Sequence, residues 1–200
     1  MKTLYVLLLG FIVLWGCGKG KQPLQGETEF QVKLNGEFKD ASKSPLKDKE
    51  RKDFKGLDFF KFDSSYVVAA TFKRTTEEKP FKMKTTTDRL AVFMKYGEIT
   101  FTINNESFQL NVYQDQDLLN EEGFEDYLFL PFLDDTNGEE SYGAGRYIDL
   151  KIPEGDLMTI DFNTAYNPYC AYNEKYSCPI VPRENYVGIE VRAGVRSYLK

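Results

Sequence analysis

The segment EITFTINNESFQLNV, residues 98–112, decides how this chain folds. Apolar and polar side chains alternate on each side of Asn104 and Asn105, as they do in half-buried strands. Asparagine also tolerates the positive φ that a tight hairpin turn needs. The segment therefore predicts an antiparallel hairpin with one apolar face. That face consists of Ile99, Phe101, Ile103, Phe108, Leu110 and Val112.

Similar short segments, rich in β-branched and aromatic residues, recur on both sides of the hairpin. They are predicted strands at 66–73, 81–85, 128–133, 146–152, 157–163 and 187–192. Segment 128–133 is apolar on both faces and should be covered on each side, while Pro131 cannot donate to a ladder and indicates an edge or a bulge. About eight short strands predict a mostly β fold, an antiparallel β-sandwich or squat barrel.

A short helix is predicted ahead of the strands. Phe30, Leu34 and Phe38 recur every four residues, which places one apolar stripe on an amphipathic helix over 27–38. We expect this N-terminal helix to cover the β domain, because its stripe needs an apolar partner. A second, basic helix is predicted over 47–54, with its charges in solvent.

Histidine is absent from all 200 residues. Its absence excludes Ser-His-Asp and Cys-His catalysis, two-His zinc motifs and haem held by His. The formal net charge of −5 argues against a nucleic-acid partner, because phosphate neutralisation needs a basic surface. We expect no cofactor, and any catalysis would depend on carboxylate, Tyr, Lys or Cys side chains.

The start of the chain indicates export. Lys2 precedes an apolar run over 4–14, which is too short to span a bilayer as a helix and fits a signal peptide over residues 1–16. The run ends in LWGC, residues 14–17, which resembles the lipoprotein box of bacteria. The pattern predicts that Cys17 is lipidated and becomes the first residue of the mature protein.

The domain division follows from this processing. Residues 17–26 are predicted to be the lipidated Cys and a flexible tether, and residues 27–200 a single β-rich domain. We therefore expect a lipoprotein of the bacterial cell envelope, attached to a membrane by its lipid, with the domain in the periplasm or outside the cell. The alternative is an uncleaved anchor, or a Cys that follows a secretory signal by chance.

Charge is unevenly spread along the domain. No Lys or Arg lies between Lys95 and Arg146, whereas twelve carboxylates fall in that interval. Two interpretations are open: a solvated acidic face, or a site for a cation or a cationic ligand.

Two motifs stand out in the last third of the chain. YGAGR occupies residues 142–146 and NPYCA occupies residues 167–171. Together with YLFLPF at 127–132, they resemble the bacterial and archaeal domain-of-unknown-function family 1684, over about residues 27–195. The resemblance implies a single, mostly β domain without an established activity.

Cys170 and Cys178 form an even pair in a compartment expected to be oxidising. A disulfide is the simplest expectation, and closing this loop would stabilise the fold by roughly 2.5 kcal/mol on the chain-entropy argument. Free thiols are one alternative. A metal site is the other, although two Cys alone are a poor ligand set and we expect no metal.

A candidate ligand site centres on Arg146. Alternation places Arg146 on the apolar face of the predicted strand 146–152, where a guanidinium needs a carboxylate, and Asp134 is the expected partner. In this hypothesis Arg146 holds an anionic group of a ligand; the alternative is a buried Arg–Asp pair that only fixes the loop. The predicted rim of the pocket consists of Tyr142, Asn163, Tyr166, Asn167 and Tyr172.

Three functions remain open. The one we expect is a small-molecule or glycan-fragment binding module for a small polar or anionic ligand, since clustered Tyr and Asn side chains can stack and hydrogen-bond. The same Tyr and Asn residues could equally be the edge of the core. A His-free hydrolase using two of Asp134, Asp149 and Asp161 is the second function, and a structural or interaction lipoprotein without a pocket is the third.

The lipid anchor yields the first testable prediction. Labelled palmitate is expected to enter the wild-type protein in bacteria and not the Cys17→Ser variant, because the thiol at residue 17 is the acceptor. Autoradiography of the purified protein measures this. Label retained by the variant would show that Cys17 is not the lipidated residue.

Overall fold

The computed structural model describes residues 28–198, which form one curled sheet of eight strands, a half-barrel, with a short helix on the N-terminal side. The strands are β1 Val67–Arg74, β2 Phe81–Lys84, β3 Leu90–Ile103, β4 Glu106–Asp115, β5 Tyr127–Asp134, β6 Arg146–Lys151, β7 Leu157–Asp161 and β8 Tyr186–Val187. The α-helices are α1 Glu29–Lys39 and α2 Asp48–Asp53. The predicted mostly β fold class is confirmed. The predictions for the signal peptide, Cys17 and the tether lie outside the described residues.

The sheet has the order β6-β5-β4-β3-β1-β7, with β2 added to β3 and β8 added to β5. All pairs are antiparallel except β5 with β8. Strands β3 and β4 form the predicted hairpin, in which Ile103 lies opposite Glu106. Asn104 and Asn105 make the two-residue turn with φ of 52° and 66°, the positive values that a type I′ turn requires. None of the helices within residues 28–198 is long and apolar enough to cross a membrane.

Both faces of the sheet are covered. On one face, apolar side chains from most strands form the main core, which contains the predicted apolar face of the hairpin. On the other face, a second apolar cluster gathers around Phe129. Strand β5 lies between the two, with Leu128 and Leu130 in the main core and Phe129 in the second cluster. The prediction that segment 128–133 is covered on each side is confirmed.

Pro131 lies on an interior strand, between β4 and β6, where we expected an edge or a bulge. The ladder between β4 and β5 consists of one pair, Tyr113 with Phe129, and beyond it a side chain replaces the missing backbone bonds. Asn185 accepts from the Asn111 N–H over 3.0 Å and donates to the carbonyls of Asn111 and Pro131 over 2.8 and 2.7 Å. A side-chain amide thus bridges the strands where proline cannot.

Helix α1 begins after Thr28, whose hydroxyl accepts a hydrogen bond from the Gln31 N–H over 3.2 Å. Phe38 is buried, and its ring centre lies 4.7 Å from that of Tyr172. Phe30 and Leu34 belong to the same stripe and are half-buried. The predicted stripe is confirmed, and it packs α1 against the last third of the chain.

Candidate functional site

Arg146 begins β6, and its side chain is fully enclosed (0% exposed) on the core face. The guanidinium donates to Asp134 Oδ2 over 2.8 Å, to the Val191 carbonyl over 2.8 Å and to the Ala193 carbonyl. Of the predicted strand 187–192, only Val187 pairs in the sheet. The later carbonyls have separate donors: the Asp135 N–H for Ile189, the Tyr66 hydroxyl for Glu190 and Arg146 for Val191.

Asp134 joins three parts of the chain. Besides Arg146, it accepts from the N–H of Thr136 over 2.8 Å, from the hydroxyl of the same residue over 2.5 Å, and from the Val191 N–H over 3.3 Å. Burial lowers the pKa of Arg146, and the charge of Asp134 opposes that effect. The predicted Arg–Asp pair is confirmed. Of the two interpretations of this pair, the one in which it fixes a loop matches these contacts.

The predicted asparagines of the rim tie distant backbone segments together. Asn163 is buried, donates to the Asp63 carbonyl over 2.9 Å and accepts from the Asp63 N–H over 3.1 Å. Asn167, also buried, donates to the Arg196 carbonyl over 2.8 Å. Asn163 also donates to Asp161 over 2.8 Å, and Asn167 also donates to the Tyr172 hydroxyl over 3.3 Å. Neither asparagine lines the pocket described below.

The predicted tyrosines of the rim lie in three different places. Tyr172 is buried against α1, and Tyr142 is half-buried with its hydroxyl 3.8 Å from Cys170 Sγ. Tyr166 lines a pocket on the second face of the sheet, far from the core side on which Arg146 lies. Of the predicted rim, the structure brings Asn167 and Tyr172 into contact but does not gather the whole set around Arg146, and it places a cavity at Tyr166.

This pocket has a volume of about 440 Å³ and lies between α1, the second face of the sheet and the loop around residues 176–179. Phe93, Phe129 and Tyr147 form its wall on the sheet, with the Phe129 and Tyr147 ring centres 4.7 Å apart. Phe30 and Leu34 form the wall on α1. The charged residues of the lining are Lys33, Glu37, Asp115 and Asp149.

A tyrosine–aspartate–tyrosine cluster lines the pocket. Tyr127 and Tyr166 both donate to Asp149 Oδ1, over 2.9 and 2.6 Å. Tyr166 is held beside β6 by two backbone hydrogen bonds of 2.9 Å with Tyr147, one in each direction. Asp149 lies opposite Phe129 on the neighbouring strand, so the sheet register places the carboxylate at the aromatic wall.

The hydroxyls of this cluster stay protonated at neutral pH. Burial raises the pKa of Tyr127 and Tyr166, and the charge of Asp149 raises each further. The charge of Asp115 also raises the pKa of Tyr127. Burial raises the pKa of Tyr169, another lining residue, and the charge of Glu37 adds to the effect. The carboxylates of the pocket are thus close enough to act on the same aromatic groups.

Cys170 and Cys178 are free thiols in the structure, so the expected disulfide is not formed. The Cys170 N–H donates to Cys178 Sγ over 3.2 Å, and Cys178 lines the pocket. A hydrogen bond from the Cys178 thiol lowers the pKa of Cys170 to about 6 and raises that of Cys178. Among residues 28–198, no three Cys, Asp or Glu side chains gather as metal ligands would.

The three carboxylates considered for hydrolysis have different surroundings. Asp134 is buried in its pair with Arg146. Asp161 accepts from the N–H and the side-chain amide of Asn163, over 2.9 and 2.8 Å, at the end of β7. Of the three, only Asp149 lines this pocket, so the pocket does not pair any two of them.

Comparison with known proteins identifies the family. The profile of DUF1684, a family described as proteins of unknown function, matches residues 52–196. The chain belongs to the DUF1684 family. The solution NMR structure of an uncharacterized protein from Haloarcula marismortui is similar, with 33% sequence identity and a TM-score of 0.65 over 83% of this chain and 89% of that one. A search of curated proteins found no match.

Sequence reasoning missed most of the pocket in this DUF1684 domain. Alternation places Tyr147 and Asp149 on the side of β6 opposite Arg146, which is correct, but it did not predict a pocket on that side. A signal was present in segment 128–133, since a strand that is apolar on both faces implies a cover on the second face. The neighbouring side chains of that face, including Phe93 and Asp149, could have been assigned to it from this signal.

The buried pair yields a prediction for this domain. Arg146→Lys is expected to lower the free energy of unfolding by roughly 2–4 kcal/mol, because the three donors of a compact ammonium group cannot reproduce the planar fork that reaches Asp134 and the two carbonyls. Unfolding in urea measures this. The matched control is Arg192→Lys, an exposed pair with Glu140 at 2.7 Å, which should cost under about 1 kcal/mol. Equal losses would contradict the assigned role of Arg146.

Proposed function

We propose that this DUF1684 protein is a cell-envelope lipoprotein whose domain binds a small polar molecule or a glycan fragment in the pocket at Tyr166. The observation that carries the proposal is the combination of aromatic walls with the Tyr127–Asp149–Tyr166 cluster in one cavity. Binding sites for small ligands are mostly apolar cavities with a few well-placed polar groups. The lipid at Cys17 would attach the domain to the membrane.

Asp115, a carboxylate in the pocket wall, lowers the stability of the fold when it is ionised, and this supports a binding role for the pocket. Burial raises the pKa of its carboxyl group above the usual value. The stability linked to this group is therefore present below its usual pKa and is lost as the pH rises through the folded-state pKa. At neutral pH the ionised group destabilises the fold. A destabilising carboxylate in a pocket wall is typical of a functional site.

Binding accounts for the pocket better than hydrolysis by the carboxylates considered above. A glycosidase needs two carboxyl groups that flank one bond, and Asp134 and Asp161 are committed to Arg146 and Asn163. Asp149, by contrast, holds two hydroxyls in fixed positions at the aromatic wall. Such a rigid acceptor group suits the orientation of a bound ligand.

The thiols form part of the proposal, because the envelope is expected to be oxidising. In that compartment Cys170 and Cys178 are proposed to form a disulfide next to the pocket. Intact mass after alkylation, with and without prior reduction, measures the number of free thiols. Two alkylated cysteines without reduction, in protein taken from the envelope, would refute the disulfide.

A ligand screen tests the binding function. Thermal shift of the soluble domain, from about Gln25 onward, is expected to identify sugars or small polar metabolites that raise its Tm. Tyr166→Phe should reduce that shift, because it removes a hydroxyl from the pocket. The control is Tyr172→Phe, a buried tyrosine outside the pocket that should keep the full shift. A shift that survives Tyr166→Phe and is lost in Tyr172→Phe would place the site elsewhere.

A further inference from the structure

We infer that the ligand of this pocket is an organic cation, whose ammonium group is held among the aromatic rings and carboxylates. The inference rests on the proposed function, which places a ligand in this cavity, and adds the chemical class of that ligand. Three features of the cavity carry it: the direction of its hydrogen bonds, its charge and its aromatic lining.

The hydrogen bonds leave the polar end of the pocket with acceptors. A carboxylate oxygen only accepts hydrogen bonds, so the hydroxyls of Tyr127 and Tyr166 both donate to Asp149 and have no proton left for a ligand. The hydroxyl of Tyr147 likewise donates to the Pro179 carbonyl. What these groups still offer to a ligand is lone pairs, on the two phenol oxygens and on the exposed Asp149 carboxylate. A ligand that matches them brings its own protons.

The charge of the lining is negative. Three of the lining residues are acidic, Glu37, Asp115 and Asp149, and one is basic, Lys33. Asp115 belongs to the interval without Lys or Arg, for which a cationic ligand was one interpretation of the sequence. An anionic ligand would meet three carboxylates of like charge in this lining, so the pocket disfavours anions.

The aromatic rings suit an ammonium group. A cation is attracted to the face of a Tyr or Phe ring, and this attraction grows when water is excluded. Tyr169 and Tyr176 both line the pocket, with ring centres 5.2 Å apart. An ammonium group can approach the ring of Tyr176, since the chain's own Lys175 Nζ lies 4.9 Å from its centre. A volume of about 440 Å³ leaves room for a choline-sized or polyamine-sized molecule.

The test uses a matched pair of probes that differ in charge but hardly in shape. Choline and its uncharged isostere 3,3-dimethylbutan-1-ol are titrated into the full chain by calorimetry, with putrescine as a primary amine. A polyoxyethylene detergent is used, because it carries neither a sugar nor an ammonium group. We expect choline or putrescine to bind at least tenfold more tightly than the isostere. Equal binding of the isostere, or no binding of either cation, overturns the inference.

Variants of the charged lining residues test the site itself. Asp149→Asn should weaken binding of the cation about tenfold, whereas Asp156→Asn, an exposed control outside the pocket, should not change it. Lys33→Gln should strengthen binding, because it removes the opposing charge. Asp115→Asn should weaken binding while raising the Tm at pH 7, an outcome that unfolding cannot produce. No loss of affinity in Asp149→Asn would also overturn the inference.

A neutral glycan fragment separates this inference from the proposed function. If N,N′-diacetylchitobiose binds, the cations do not, and Tyr166→Phe removes the sugar binding, then the pocket is a binding site but not one for cations. If neither the sugar nor the cations bind, the inference fails together with the evidence for a small-ligand site.

Discussion

The buried ion pair of Arg146 and Asp134 is the interaction on which the rest of the structure depends. It joins the start of β6 to the end of β5 and replaces the sheet partner of the C-terminal segment at Val191 and Ala193. It also fixes a register. With Arg146 on the core face, alternation forces Tyr147 and Asp149 to the other face, where they form the pocket. A shift of one residue would send the Asp149 carboxylate into the core and move the guanidinium to the pocket face.

In the last third of the chain, asparagine side chains form the long-range hydrogen bonds to backbone that strand ladders form in the sheet. Asn163, Asn167, Asn173 and Asn185 each donate to a distant carbonyl. A segment with such side-chain hydrogen bonds needs no regular secondary structure. At Asn185 it bridges β4 and β5 where their ladder stops, next to Pro131. A dense cluster of Asn and Tyr in a sequence therefore has two physical explanations, a ligand surface and a backbone scaffold. In this chain the scaffold accounts for the asparagines, and the pocket takes only some of the tyrosines.

Much of the fold could be predicted from the sequence, because period-two alternation reports which residues share a face. That information was enough for the β3–β4 hairpin, for the stripe of α1 and for the pairing of Arg146 with Asp134. It was not enough for the pocket, since alternation does not say what covers a face. The cover consists of α1 and the loop around residues 176–179, both far in sequence from Asp149. The same limit explains why the predicted strand 187–192 keeps only Val187 in β8, since the partner of the Val191 carbonyl is a side chain 45 residues away, which alternation does not reveal.

Helix α1 links the pocket to the membrane in the proposed function. The helix supplies Phe30, Lys33 and Glu37 to the pocket wall, and it starts shortly after the proposed lipid at Cys17. A fully extended chain from Cys17 to Glu29 reaches at most about 40 Å, so the pocket would work close to the membrane surface. Anionic lipids concentrate small cations at such a surface. The negative charge of the pocket would then attract a cationic ligand at the membrane surface. At that surface the local concentration of a dilute cation is highest.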